Sequence, residues 1–267
     1  MEESKASAPR IAIPVPHSGV GENDRGYAER SLPQYEEAVR AAGGVPVRIE
    51  LDQTAAQVMA AVQSCDAVLL PGSRADVDPQ KYGAHRHEKT AAADFKRTFV
   101  DELLLQDAYK TRKPVLGICF GLQSLNVFRS GTLVQHIESA VDHSPKRGTV
   151  KAHTVEIEPE SLLAKIAGAS AMSGKSVAVN SSHHQSAEAV GDGLRLVARS
   201  TEDGIVEALE GTDPGHFVLA VQWHPERSVN EGAEVAESAR AIFRAFVEAA
   251  RVREGESPRE FEQANRQ

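Results

Sequence analysis

Short, almost wholly apolar runs recur along the first half of the chain, and segments of helical spacing separate them. Residues 11–15, 45–49, 66–70 and 114–118 read as strands buried on both faces, since nearly every position in them is apolar. Residues 33–42 place Tyr35, Ala38, Val39 and Ala42 on one helical face, and Gly43-Gly44 ends that helix. Thr54-Ala55-Ala56-Gln57 has the form of a capping box at the head of a short helix through Val62. Residues 94–109 predict a longer helix with Phe95, Phe99, Leu103, Leu104 and Ala108 inward, which leaves Arg97 and Asp101-Glu102 on a solvated face. Alternation of this kind argues for a parallel, doubly wound sheet.

The pattern changes past the middle of the chain. Residues 150–157 and 177–180 read as strands with a short helix at 159–166 between them, and 194–199 and 205–209 form a hairpin about Asp203-Gly204. A last strand spans 217–223, and Val235, Ala239, Ile242, Phe243, Phe246, Val247 and Ala250 make a helical stripe that covers one sheet face. Residues 73–93 are too long and polar for a simple turn, 132–137 lead into an irregular stretch, and 138–151 read as a mobile flap. The expectation is a single α/β domain over residues 10–250. It has a mostly parallel central sheet, helices on both faces and a small antiparallel extension. Residues 1–9 and 251–267 are expected to be flexible tails.

Composition narrows the function classes. The chain of 267 residues is 41% hydrophobic and 25% charged, ordinary for a globular protein. A net charge of -8 without any Lys/Arg block argues against nucleic-acid and anionic-membrane partners. No apolar stretch approaches the roughly 20 residues of a membrane span, and residues 1–9 lack an apolar signal core. Cys65 and Cys119 are the only cysteines and make no disulfide framework, so the expected location is cytoplasmic.

One junction carries most of the chemistry. Cys119 stands between the strand at 114–118 and a helix of apolar spacing, framed as Gly117-Ile118-Cys119-Phe120-Gly121. That is a nucleophile elbow with cysteine in place of serine. The glycines permit a sharp turn, and the helix start aims N–H groups at the group under attack; it is also expected to lower the thiol pKa. A second signal closes the strand at 217–223, where His224-Pro225-Glu226 supplies a base and a carboxylate to orient it. Cys65, at the entry to a strand, reads as structural. His85 and His87 are too isolated to suggest a metal, and none is expected.

These residues resemble the class I glutamine amidotransferase-like superfamily, whose triad is Cys, His and Glu in that order. Further stretches resemble its γ-glutamyl-γ-aminobutyrate hydrolase-like branch: Leu70-Pro71-Gly72 with Asp76-Val77-Asp78-Pro79, Asn126-Val127, Gly131-Thr132-Leu133 with Gln135-His136, Asn180-Ser181-Ser182-His183-His184-Gln185, and Asp203-Gly204-Ile205-Val206-Glu207. The resemblance implies Cys119, His224 and Glu226 as the catalytic triad, and an oxyanion hole from N–H groups of Phe120 and of Gly72 or Ser73. It implies Gln123, Ser181, Ser182 and His183 at the substrate, a supporting role for the acid–Arg–acid set around Arg97, and no cofactor. The implied partner is a small γ-glutamyl amide, cleaved through a thioester to glutamate and an amine; a homo-oligomer is left open.

Two alternatives remain at this point. One is a glutaminase subunit that passes ammonia to a synthetase, and the other is a catalytically silent binding protein, which alkylation of Cys119 would separate from an enzyme. The branch commonly has Arg after the nucleophile, where this chain has Phe120, and Pro-Gly-Gly-Gly where it has Pro71-Gly72-Ser73-Arg74. A weaker preference for carboxylate-bearing leaving amines is therefore expected, unless Arg74, Arg86 or Lys146 restores the charge.

Overall fold

The computed structural model describes residues 7–19, 22–145, 148–168, 176–231 and 233–255. In chain order the strands are β1 (Arg10–Pro14), β2 (Val45–Ile49), β3 (Ala67–Leu70), β4 (Val115–Ile118), β5 (Leu133–Val134), β6 (His153–Ile157), β7 (Val177–Val179), β8 (Ser186–Ala187), β9 (Leu194–Ser200), β10 (Val206–Gly211) and β11 (Val218–Val221). The helices are α1 (Glu22–Ala41), α2 (Ala55–Gln63), α3 (Phe95–Thr111), α4 (Phe120–Phe128), α5 (Leu162–Ala167), α6 (Pro225–Ser228) and α7 (Ala233–Gly255).

A single sheet in the order β2-β1-β3-β4-β11-β10-β9-β6-β7 organises the α/β domain. The half from β2 to β11 is parallel, as the apolar runs predicted, and the half from β10 to β7 is the antiparallel extension. Alternation within each strand divides the core between two faces. Ile11 and Ile13 pack with α1, α5 and α7, whereas Ala12 packs with α2, α3 and α4. Ile242, Phe243, Phe246 and Val247 of α7 are almost wholly buried. Burial of such side chains typically stabilises a fold by about 1.5–3 kcal/mol each, so this stripe anchors its layer. Thr54 caps α2 through the expected box, its hydroxyl accepting from Gln57 N–H. Among the described residues no helix is long and apolar enough to cross a membrane.

Several expectations are corrected. Helix α1 begins at Glu22 and carries Pro33 inside it. Tyr27, Arg30 and Ser31 in its first half line a cavity rather than an apolar core, and Pro33 then mimics a helix start. Helix α3 buries Leu104 and Ala108 as expected, but its first turns differ: Phe95 is 68% exposed and Phe99 44%, while Arg97 and Asp101 are fully buried. Residues 133–134, ahead of the stretch read as irregular, form a short strand paired with β8. The helix expected to end at residue 250 continues to Gly255; residues 1–6 and 256–267 of the predicted tails lie outside the described residues.

Candidate active site

The strand β4 ends in a bend that only a strained backbone can make. Cys119 has φ 54° and ψ −106°, sparsely populated for a residue with a side chain and typically costing about 1–3 kcal/mol. Its N–H donates to Val221 C=O at 2.8 Å, and its own carbonyl accepts from Leu122 and Gln123, so sheet and helix together hold the bend. Both elbow glycines are required by close approach. A Cβ on Gly121 would lie 2.1 Å from the Leu70 carbonyl oxygen, and one on Gly117 would lie 2.9 Å from the Gly121 backbone.

His224 follows β11, the neighbour of β4, and so stands at the same edge of the sheet. Its Nδ1 lies 2.7 Å from Glu226 Oε1. Asn180 fixes the backbone around it, accepting from His224 N–H at 2.9 Å and donating to the His224 carbonyl at 2.7 Å. With Nδ1 donating to the carboxylate, Nε2 is left as an acceptor; it is buried and has no partner among the described residues.

Cys119 and His224 line one cavity of about 340 Å³, together with Ser73, Phe120, Gln123, Ser182 and His183. The remaining predicted residues stand behind the wall. Gly72 gives its N–H to the Tyr35 hydroxyl at 3.0 Å, while no described acceptor takes the N–H of Ser73. Ser181 donates to the His143 carbonyl and lines an adjoining cavity of about 280 Å³. Gln123 spends its amide on the Gln185 carbonyl and Gln222, so it supports the wall. His183 is 5% exposed and turns both ring nitrogens toward protein. Cys65 donates to the Ala61 carbonyl inside the core, as expected of a structural thiol.

The structure adds residues that periodicity hid. Tyr27, on the unpredicted half of α1, lines both cavities with Arg74 and Arg227. Of the three basic positions weighed from sequence, Arg74 faces the site, Arg86 is bonded to the Thr90 and Ala91 carbonyls, and Lys146 lies outside the described residues. Arg97 explains the first turns of α3. Its guanidinium donates to Asp101 at 2.6 Å, to the Pro16 carbonyl at 3.0 Å and to the Pro71 carbonyl at 2.7 Å, and it lies over the Phe120 ring at 5.0 Å. One buried cation thereby ties the loops after β1 and β3 to the first residue of the elbow helix. The acid–Arg–acid set is a clamp.

Electrostatics correct a further expectation. Burial pushes the Cys119 thiol up to about 12, and the Arg227 charge and the Phe120 N–H offset only part of that. Burial, aided by Arg227, pushes His224 below its ordinary value despite Glu226. Burial works to raise the Glu226 pKa, but His224 and Arg227 outweigh it and hold the carboxyl below its ordinary value. These shifts favour thiol, neutral imidazole and carboxylate in the resting site. A slow reaction of Cys119 with a simple alkylating agent would not mark the protein as silent. Among the described residues, the side chains grouped closely enough to hold a metal ion are His143, His183 and Glu207, whereas the His87 ring stacks on His136 at 5.8 Å.

With this geometry, similarity to known proteins becomes informative. A family model described as Peptidase C26 matches residues 9–226. A Mycobacterium tuberculosis protein provisionally named a glutamine amidotransferase is 36% identical over 239 residues, covering 87% of this chain and 70% of the relative. The gamma-glutamyl-gamma-aminobutyrate hydrolase PuuD of Escherichia coli K12 is 30% identical over 236 residues, covering 84% of this chain and 88% of that one. Among solved structures, PurLQS from Thermotoga maritima superposes with a TM-score of 0.56 at 19% identity, covering 90% of this chain and 98% of that chain, which speaks to the fold alone.

Proposed function

Since the chain belongs to the Peptidase C26 family, within the glutamine amidotransferase-like group, we propose that it hydrolyses the γ-glutamyl amide bond of a small molecule. The observation that carries this reading is the buried, partnerless Nε2 of His224 in the wall of the cavity that also holds Cys119. Cys119 Sγ attacks the γ-carbonyl carbon as His224 Nε2 takes the thiol proton. Because the resting thiol is neutral, proton transfer accompanies attack. The carbonyl oxygen becomes an oxyanion beside the N–H groups of Phe120 and Ser73, each such donor typically contributing about 3–4 kcal/mol to the transition state. Gly72, whose N–H is already given to Tyr35, positions that loop instead.

Collapse of the adduct breaks the C–N bond, and His224 returns its proton to the leaving amine. Water, deprotonated by His224, then cleaves the thioester to free glutamate. Glu226 holds the imidazole in the required tautomer throughout. Arg74 and Arg227 supply cationic charge between the two cavities, and Arg30 lines the second. They offset the charge that Phe120 lacks and support a substrate with a carboxylate at one or both ends. The relationship to PuuD supports γ-glutamyl-γ-aminobutyrate as the first compound to assay.

The test is a panel of γ-glutamyl amides with free glutamate as the readout and Cys119→Ala as the blank. Turnover of γ-glutamyl-γ-aminobutyrate above a neutral-amine analogue, with that margin lost in Arg74→Ala, supports the reading. Glutamine as the best substrate, accelerated by a partner protein, would replace it with ammonia donation, the reading that the M. tuberculosis relative's name favours. Labelling should use a γ-glutamyl chloromethyl ketone, because the resting thiol is protonated.

A further inference from the structure

Glu207, on β10, is completely buried, and three imidazoles converge on its Oε1. His153 Nε2 is a hydrogen-bonding neighbour at 3.0 Å. His143 Nδ1 and His183 Nε2 each lie 3.4 Å from the same oxygen, and neither has a hydrogen-bond partner among the described residues. The opposite nitrogens of these two rings are already committed. His183 Nδ1 lies 3.0 Å from the Gln185 carbonyl and His143 Nε2 lies 2.9 Å from Asp203 Oδ2. Carbonyl and carboxylate oxygens only accept, so both of those nitrogens carry the proton. In the neutral rings the remaining nitrogens point bare lone pairs at an anionic oxygen. Such an arrangement requires positive charge between the groups, either a proton on the rings or a bound cation.

A proton on each ring would draw nitrogen and oxygen to about 2.7–2.9 Å, the usual length of a charge-assisted hydrogen bond. The observed 3.4 Å is longer. It equals the edge of a tetrahedron built with zinc bonds of about 2.0–2.1 Å, which is about 3.4 Å. The three ligand atoms lie within 4.8 Å of one another. Both histidines also donate their far N–H to an oxygen acceptor, the support that metal-bound imidazoles generally have.

We propose that His143 Nδ1, His183 Nε2 and Glu207 bind one zinc-class divalent cation, which fastens the 138–145 segment to the sheet beneath the active cavity. Glu207 and Asp203 together balance its two charges. The role is structural. His143 precedes the cavity-lining Ser144, and His183 lines the cavity with Ser182 and His184, so the ion sets the shape of that wall. This inference is independent of which amide is cleaved.

The test uses the full chain carrying Cys119→Ala, so that the nucleophile cannot capture metal. After chelator treatment the protein is titrated with Zn2+ against a chromophoric competitor and, separately, with Co2+ followed by absorption. One equivalent bound with sub-micromolar affinity, a raised Tm, and at least ~100-fold weaker binding in His143→Asn and in Glu207→Gln are expected. His143→Cys in the same background guards against misfolding, since Co2+ should then acquire a thiolate charge-transfer band that the parent lacks. Absence of saturable binding below 100 micromolar free Zn2+ (about four decades above typical structural sites), unchanged affinity in the Asn and Gln variants, or no new band in His143→Cys overturns the proposal.

Discussion

Two buried carboxylates, Glu226 and Glu207, each meet imidazole in this protein, and they are built in opposite ways. Glu226 serves one histidine two residues away, through a turn stiffened by Pro225, and leaves His224 Nε2 open to the cavity. Glu207 gathers three histidines from separate segments and turns one nitrogen of each toward a single buried oxygen. On the proposed readings, the same pair of functional groups makes an acid–base device in the first case and a fastening in the second. What differs is whether a nitrogen is left facing the cavity.

Breaking the open assembly should stop turnover without unfolding the chain. Cys119→Ala is expected to abolish glutamate release while circular dichroism and Tm stay unchanged, whereas Cys65→Ala should retain activity. His224→Asn should lower kcat by on the order of 10³–10⁴, because one residue both accepts the thiol proton and protonates the amine. Glu226→Gln should lose less, since it orients the ring without exchanging protons with substrate. Equal and negligible losses in both variants would place the base elsewhere.

Breaking the closed assembly should reverse that signature. Glu207→Gln removes the anion from under three imidazoles, and loss of one partner from a buried ion pair typically costs about 3–5 kcal/mol. A fall in Tm on the order of 10 °C is expected, with kcat far less affected than in Glu226→Gln. Burial alone would raise the Glu207 pKa, but the surrounding histidines hold it well below the usual carboxylate range. Its stabilisation is therefore complete above the unfolded value of about 4.3 and is lost as pH falls below it. Melting curves should show the wild-type advantage in full at pH 7 and a narrowing gap toward pH 3. A constant gap across that range would contradict the assignment.

The smallest effect is a shift in pH dependence. Burial and Arg227 hold His224 below its ordinary value, so the acid limb of kcat/KM should lie below pH 6.5. Arg227→Gln removes a charge that disfavours the imidazolium and should move that inflection upward. An unmoved inflection would make burial the whole cause.

The motifs proposed to be catalytic were legible because their logic is local. The elbow needs glycine on both sides of Cys119, and His224-Pro225-Glu226 is complete within three residues. Helix α3 was misread because apolar periodicity assumes that a buried face is apolar, and Arg97 with Asp101 is buried through specific hydrogen bonds instead. The first half of α1 escaped for a related reason: Tyr27 and Arg30 face a cavity, so no stripe announces them.

The sequence by itself determined the alternating α/β order, the buried parallel strands, the elbow and the local His–Glu pair, since each follows from spacing between near neighbours. Only the tertiary structure decided that Gly72 spends its N–H on Tyr35, that the Cys119 thiol rests protonated, and that residues 143, 153, 183 and 207 meet at one point. Those outcomes depend on burial and on contacts between distant segments. No pattern along the chain encodes how deep a group will lie or which remote neighbour will face it.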